Sequence, residues 1–372
     1  MFCLLRFAET SIPKSVGVWY DSCMFGKRKI LLSGIQPSGR PHSGNYFGAM
    51  KQFVEMQASH DCFFMIVDYH ALNSIQDAKV MRQNIIDLAI DYLAIGLDPV
   101  KPTDEGHGAG PVKAQSSHGA GPGSSVIFKQ SDVSEHTELA WIFETMTTMP
   151  YLQRAHAYKD AEAKNKEISV GLFNYPMLMA ADILLYDTDI VPVGADQKQH
   201  VEITRDTAEK FNRIYASTGS AQAAPTFKLP EAKILSSVAV VPGIDGRKMS
   251  KSYGNTIPLF AEDAEIEKLV MSIVTDSSGG IPKNVHEIHK LFRPESELAS
   301  LYQSKAGKYQ DLKEALAADI KTFIRPLRER RKAIVSDTAS VLNVLKEGGK
   351  RAKEKASAKM DEVREKIGVR LY

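Results

Sequence analysis

Three stretches of the chain combine residue types that can do chemistry. The first is Ser33-Gly34-Ile35-Gln36-Pro37-Ser38-Gly39-Arg40-Pro41-His42-Ser43-Gly44-Asn45, set between an apolar strand pattern and a helical one. Backbone N–H groups at the start of a helix, aided by the helix dipole, make an anion site. Gly44 lets a ligand approach the backbone, and His42 and Asn45 offer hydrogen bonds to phosphate oxygens. A glycine-rich connector is as often only a tight turn, so this run alone leaves both readings open. The second stretch is Gly246-Arg247-Lys248-Met249-Ser250-Lys251-Ser252. Its two lysines can neutralise charge developing on a departing pyrophosphate. By charge alone, a solvated basic turn is the commoner explanation. In the third stretch Tyr175, Met179 and Asp182 stand at i, i+4 and i+7, on one helix face. An aromatic ring, a thioether and one carboxylate suit a flat apolar ligand with a single N–H donor, such as an indole. A core helix with a buried acid is the alternative, and burial demands a partner for that acid in either case.

Taken together, these stretches resemble a known family. His42-Ser43-Gly44-Asn45 is similar to the HIGH signature of class I aminoacyl-tRNA synthetases, and Lys248–Ser252 spells their KMSKS signature, in the required order. Between them, Gly171–Tyr186 and Val191–His200 resemble tryptophanyl-tRNA synthetases of the bacterial and organellar kind. The likeness runs from about Lys29 to the C-terminus, outside an insertion at 101–125, and is stronger in the first half.

The resemblance implies an α/β fold: a Rossmann-like parallel-sheet catalytic domain with a helical C-terminal tRNA-binding domain. It implies tryptophan–tRNA ligase activity, in which L-tryptophan and ATP give tryptophanyl-adenylate and pyrophosphate before transfer to tRNA(Trp). ATP is then a substrate, and Mg²⁺ is expected on its triphosphate instead of in a dedicated protein site. For ATP the resemblance points to Gln36, Pro37, Ser38, Gly44, Asn45, Gly194, Ala195, Asp196, Lys248, Met249, Ser250, Lys251 and Ser252. For tryptophan it points to Gly34, His70, Tyr175, Met179, Asp182, Val193 and Gln197, with Asp182 accepting the indole hydrogen. The catalytic assignments fall on His42, Asn45, Lys248, Ser250 and Lys251; no metal ligand is expected. A homodimer is implied by resemblance only. Tyrosine-activating relatives share the fold, but the Tyr175–Asp182 run favours tryptophan, and pocket chemistry decides such choices. A non-catalytic paralogue is disfavoured because both signatures are intact. One departure stands out: many relatives carry a lysine where Tyr158-Lys159-Asp160 is followed by Ala161, and Lys164 or Lys166 is the candidate substitute.

Strand patterns at Lys29–Ser33, Cys62–Val67, Val126–Lys129, Ile190–Val193 and Ile234–Val241 alternate with helical ones. The helical patterns are Asn45–Gln57, Val80–Leu97 (closed by Gly96), Glu135–Met146 and Gly171–Tyr186. Alternation of this kind predicts a parallel sheet. From Glu262 onward the pattern is almost wholly helical. The expected organisation is an N-terminal extension over 1–26, a catalytic domain over 27–258 and a helical domain over 259–372. Within the second, 101–125 contains HGAGP twice and reads as a mobile surface insertion, since that composition cannot bury a core.

The chain has 372 residues, 43% hydrophobic and 25% charged, and a formal net charge of +2. That balance gives no global field to draw nucleic acid, so a tRNA surface must be local. Arg325–Lys332 and Lys346–Lys366 concentrate positive charge and are the expected phosphate-reading surface, a solvated helix face being the alternative. Cys3, Cys23 and Cys62 have no metal-site spacing and suggest a reducing compartment. A cytoplasmic location is therefore expected, or an organellar one if residues 1–26 are a presequence. No apolar run approaches the ~18 residues of a membrane span.

Overall fold

A computed structural model describes residues 28–99, 125–165, 167–194, 197–216, 224–234, 241–275 and 280–372. The expected N-terminal extension, nearly all of the insertion, and Lys166, Ala195 and Asp196 lie outside the described residues.

The described strands are β1 (Ile30–Ile35), β2 (Asp61–Ile66), β3 (Ser125–Lys129), β4 (Ile190–Val193) and β5 (Glu231–Ile234). They form one sheet in the order β3-β2-β1-β4-β5, with every pairing parallel. In such a doubly wound sheet, ligands bind beyond the carboxyl ends of the strands where the order reverses, here between β1 and β4. Successive residues of β2 serve opposite layers: Phe63 and Met65 enter one core, Cys62, Phe64 and Ile66 the other. A strand buried on both faces reads as a continuous apolar run, and Cys-Phe-Phe-Met-Ile is one. The strand expected at Ile234–Val241 is corrected to Glu231–Ile234, with 235–240 outside the described residues. As an edge strand with mostly exposed residues, β5 carries no apolar signal to find.

Helices α1 (Ser43–Asn45) and α2 (Lys51–Met56) are joined by a π-helical turn at Tyr46–Met50. Then follow α3 (Asp68–Ala71), α4 (Ala78–Ile95), α5 (Glu135–Met146), α6 (Met149–Leu152), α7 (His156–Ala163), α8 (Val170–Leu184) and α9 (Lys198–Ile214). Asp77 caps α4, accepting from the Lys79 and Val80 amides, and Gly96 ends it with φ 107°, a left-handed conformation that favours glycine. Ser169 caps α8 by accepting from Leu172 N.

The remaining helices are α10 (Asp263–Met271), α11 (Lys283–His289), α12 (Glu295–Ser304), α13 (Tyr309–Val335) and α14 (Thr338–Lys366). The first three and the N-terminal part of α13 build a third core, which also takes in Phe47 and Met249. By contrast, α14 returns to the sheet. Its Val341 and Leu345 join one layer, and Ala352, Ala356, Met360 and Val363 join the other, so it covers the β3 edge. An unpaired edge is an association hazard, and covering it is one remedy. Two glycines allow the approach: a Cβ at Gly348 would stand 1.8 Å from Ile127 O, and one at Gly349 2.9 Å from Asp132 Cβ.

Candidate active site

The first signature run turns from β1 into α1. His42 caps the helix through Nδ1, which accepts from Asn45 N (3.3 Å), while Asn45 Oδ1 accepts from His42 N (3.0 Å). The same reciprocal pair leaves the His42 ring folded over Gly44, where a Cβ would meet it at 2.9 Å. The glycine is thus required by the imidazole, whatever a ligand needs. Burial first, and the Lys251 charge second, push the His42 imidazole down to about 4, so it is neutral at pH 7.

The second signature loop lies directly against this turn. Lys251 Nζ donates to the carbonyls of Ser38 (3.0 Å) and Gly39 (2.9 Å). Burial lowers its ammonium pKa, with Asp91 pulling the other way. Met249 turns inward to the third core, and its amide donates to Val241 O (2.8 Å). Buried Asn255 shapes the loop: its Oδ1 accepts from Ser250 N (2.8 Å), and its Nδ2 donates to Lys248 O (3.1 Å) and Asp245 Oδ1 (2.7 Å). Ser250 and Ser252 hydroxyls pair at 2.9 Å, and the Lys248 side chain is exposed. Gln36, Ser38, His42, Asn45, Ser250 and Lys251 line one cleft of about 240 Å³ beyond β1. Pro37 is buried beside them, and Gly194 lies exposed just past β4. Of the expected lysine substitutes, Lys164 is exposed at the end of α7; Ala161 itself is buried.

The third stretch forms a second, drier part of the site. Along α8, Tyr175 and Met179 are half-buried and Asp182 is 3% exposed, so the shared face descends from an open mouth to a closed floor. Asp182 is densely satisfied. His70 Nε2 lies 2.9 Å from Oδ2, and Gln130 Nε2 donates to Oδ1 (2.8 Å) and Oδ2 (3.0 Å). His136 Nδ1 stands 2.7 Å from Oδ1, off the hydrogen-bond line. Burial alone would raise the carboxyl's pKa, but His136, then His70, outweigh it and hold Asp182 below the ordinary carboxylate range. Gln130 is itself oriented, since its Oε1 accepts from the amides of Tyr69 (3.1 Å) and His70 (3.4 Å). The Tyr175 hydroxyl meets His200 Nε2, and His200 Nδ1 meets Gln197 Oε1 at 2.8 Å. Val193 closes the end of β4, and a Cβ at Gly34 would press on Val67 Cγ1 at 2.7 Å. Gln130, His136 and His200 were not singled out by sequence. The only signal was position, just after β3, at the start of α5 and after β4.

In the run Arg325–Lys332, expected as a phosphate-reading surface, most cations are engaged by other segments of the protein. Arg328 is buried, donating to Ala261 O (2.6 Å) and Asp263 Oδ1 (2.8 Å). Arg331 donates to Asp91 (2.6 Å) and Asp87 (2.9 Å) on α4, and Lys332 pairs with Glu262 at 3.0 Å. These cations hold α13 in place. In Lys346–Lys366, Lys359 reaches Asp187 and Glu362 (2.8 Å each), and Arg364 reaches Glu138 (2.6 Å). Acidic partners from distant segments are invisible to local charge counting.

A doubly wound sheet, a glycine-rich turn with a cleft bridged by a lysine loop, and a buried polar floor lie beyond the carboxyl ends of the strands. Residues 26–334 match the family described as class I tRNA synthetases (W and Y), and the chain belongs to that family. A tryptophan–tRNA ligase of Fusobacterium nucleatum is 44% identical over 349 residues, covering 92% of this chain and 98% of the relative. One from Rhodopirellula baltica is 41% identical, with 91% and 99% covered. Among solved structures, tryptophanyl-tRNA synthetase of Campylobacter jejuni complexed with ADP and tryptophan superposes with a TM-score of 0.77 at 42% identity, covering 91% and 99%. Within its family, the chain groups with the tryptophan–tRNA ligases.

Proposed function

We propose that the chain activates L-tryptophan with ATP and transfers it to tRNA(Trp). The tryptophan carboxylate attacks the α-phosphorus of ATP, pyrophosphate leaves, and the adenylate then esterifies the terminal adenosine of the tRNA. No general acid or base is needed, because the nucleophile is already ionised and catalysis is positioning plus charge stabilisation. In this reading His42 and Asn45 meet the phosphates at the cleft, and Lys248 and Lys251 neutralise the departing pyrophosphate. Tyr175, Met179 and Asp182 receive the indole, with His70 and Gln197 near the amino-acid backbone. Mg²⁺ enters on the triphosphate. The protein works as a homodimer in the cytoplasm, over a catalytic domain of 27–258 and a helical domain of 259–372.

The observation that carries the reading is the buried, ionised Asp182 at the foot of the Tyr175–Met179 face, beside the cleft that joins the two signature loops. A site that hydrogen-bonds a substrate group rejects the analogue lacking it by ~10⁴-fold or more. ATP–pyrophosphate exchange with tryptophan, tyrosine and phenylalanine side by side should therefore respond to tryptophan alone. Equal exchange with tyrosine would refute the assignment.

A further inference from the structure

We infer that His136 is a positioning residue for tryptophan recognition, turning the Asp182 carboxylate so that one acceptor position faces the ligand; this rests on the function proposed above. His136 is fully buried at the start of α5 and lies between Asp182 and Tyr186, with Nδ1 2.7 Å from Asp182 Oδ1 and Nε2 2.9 Å from the Tyr186 hydroxyl. A carboxylate only accepts, so Nδ1 meets Asp182 with its proton, off the hydrogen-bond line, while Nε2 faces the Tyr186 hydroxyl. Burial holds the Tyr186 phenol well above its ordinary pKa, so that hydroxyl remains a donor. The ring is also pinned against Phe128, nearly parallel at 22°. The fully buried imidazole is thus placed between Asp182 and Tyr186.

An ionised carboxylate offers about four lone-pair positions. Around Asp182, Gln130 Nε2 donates to both oxygens, His70 Nε2 stands 2.9 Å from Oδ2 and His136 Nδ1 2.7 Å from Oδ1, so how the carboxylate is turned decides which acceptor position a ligand N–H can share. His70 and Gln130 follow β2 and β3, whereas His136 approaches from α5, so a third element fixes the carboxylate's rotation. The frame is braced from behind: Glu135 Oε1 accepts from Ser357 Oγ of α14 at 2.5 Å.

The test compares tryptophan with its benzothiophene analogue, in which sulfur replaces the ring N–H, in pyrophosphate exchange. His136→Leu should raise the tryptophan KM by about tenfold or more, the usual scale for a lost contact to a charged acceptor. It should leave the ATP KM unchanged and reduce the preference for tryptophan over the analogue by the same factor. His136→Asn, which keeps a donor near the Nδ1 position, should retain most of that preference. Equal KM increases for both amino acids, or an unchanged preference in folded His136→Leu, would overturn the proposal. Should His136→Leu not fold, Tyr186→Phe carries the test: a smaller loss of preference supports the relay, and none refutes it. A wild-type protein that does not activate tryptophan would instead sink the functional reading itself.

Discussion

The two halves of the site are built on opposite principles. The proposed tryptophan half is preformed: its acid is buried, ionised and met by groups from α3, α5 and the turn after β3. The proposed nucleotide half is two loops, each anchored by buried residues such as His42 and Met249 and bridged at the surface by Lys251 on two backbone carbonyls. Preorganised dipoles act without reorganisation at the moment of reaction, whereas loops that close on a ligand complete the constellation only when it arrives. The difference teaches where selectivity and rate reside. On the function proposed above, amino-acid choice is settled in the buried floor, and phosphate chemistry falls to loops of which Lys251 is engaged with the protein.

The largest effect expected from this contrast is on rate. Lys248→Ala or Lys251→Ala should slow single-turnover adenylate formation by roughly 10²–10³-fold, the scale of removing one preorganised transition-state donor. Rapid-quench measurement of tryptophanyl-adenylate reads it directly, and a change below about threefold would make the loop structural only.

Next comes the brace between α13 and α4, which carries Leu88 into the nucleotide cleft. Arg331→Ala leaves Asp91, 1% exposed, without its partner. Breaking one side of a buried pair costs about 3 kcal/mol or more. A clear fall in Tm, with tRNA affinity of the remaining folded protein nearly unchanged, is the expected result. A selective loss of tRNA charging at unchanged Tm would restore the surface role that charge patterning suggested.

A smaller effect is pH-dependent. His42 titrates at about 4 in the folded chain against an ordinary 6.5. Between those values the unfolded chain binds a proton that the folded one refuses, so stability falls as pH drops from 6.5 towards 4 and this contribution ceases below that. His42→Gln should flatten that fall in denaturant titrations at pH 4.5, 5.5 and 6.5. An unchanged slope would mean the imidazole is not held neutral.

The smallest effect is expected from removing residues 102–124. The flanks already meet, with Ser125 N donating to Asp98 O at 3.3 Å and a parallel bridge between Pro99 and Ser125. A short linker can therefore replace the segment, and loop length alters closure entropy only slowly. Tryptophan-dependent exchange and Tm should both stay near wild type, and a large drop in either would show that the insertion binds or packs.

Legibility followed the range of the interactions. Signals within one element were readable: Gly96 ending α4, the double-sided apolar β2, and the i, i+4, i+7 face of α8. The lysine signature was readable as a motif, yet its tie to Ser38 and Gly39 spans more than two hundred positions and had no local trace. The same holds for Gln130 and His136, whose role appears only when β3 and α5 converge on Asp182. Charge runs were the least legible. Arg328 and Arg331 look like solvent-facing cations until Asp263, Asp87 and Asp91 arrive from other segments. Return of α14 to the β3 edge was equally hidden, because the close approach at Gly348 and Gly349 appears only when Ile127 and Asp132 come against the helix.

The most direct test of a preformed tryptophan half beside a nucleotide half built on loops is equilibrium tryptophan binding in the absence of ATP, by calorimetry or dialysis. Wild type and Lys251→Ala should bind tryptophan with the same Kd, while Asp182→Ala should weaken it by about ten- to hundredfold. Equal weakening in both variants, or tryptophan binding that Asp182→Ala leaves intact, would contradict the account.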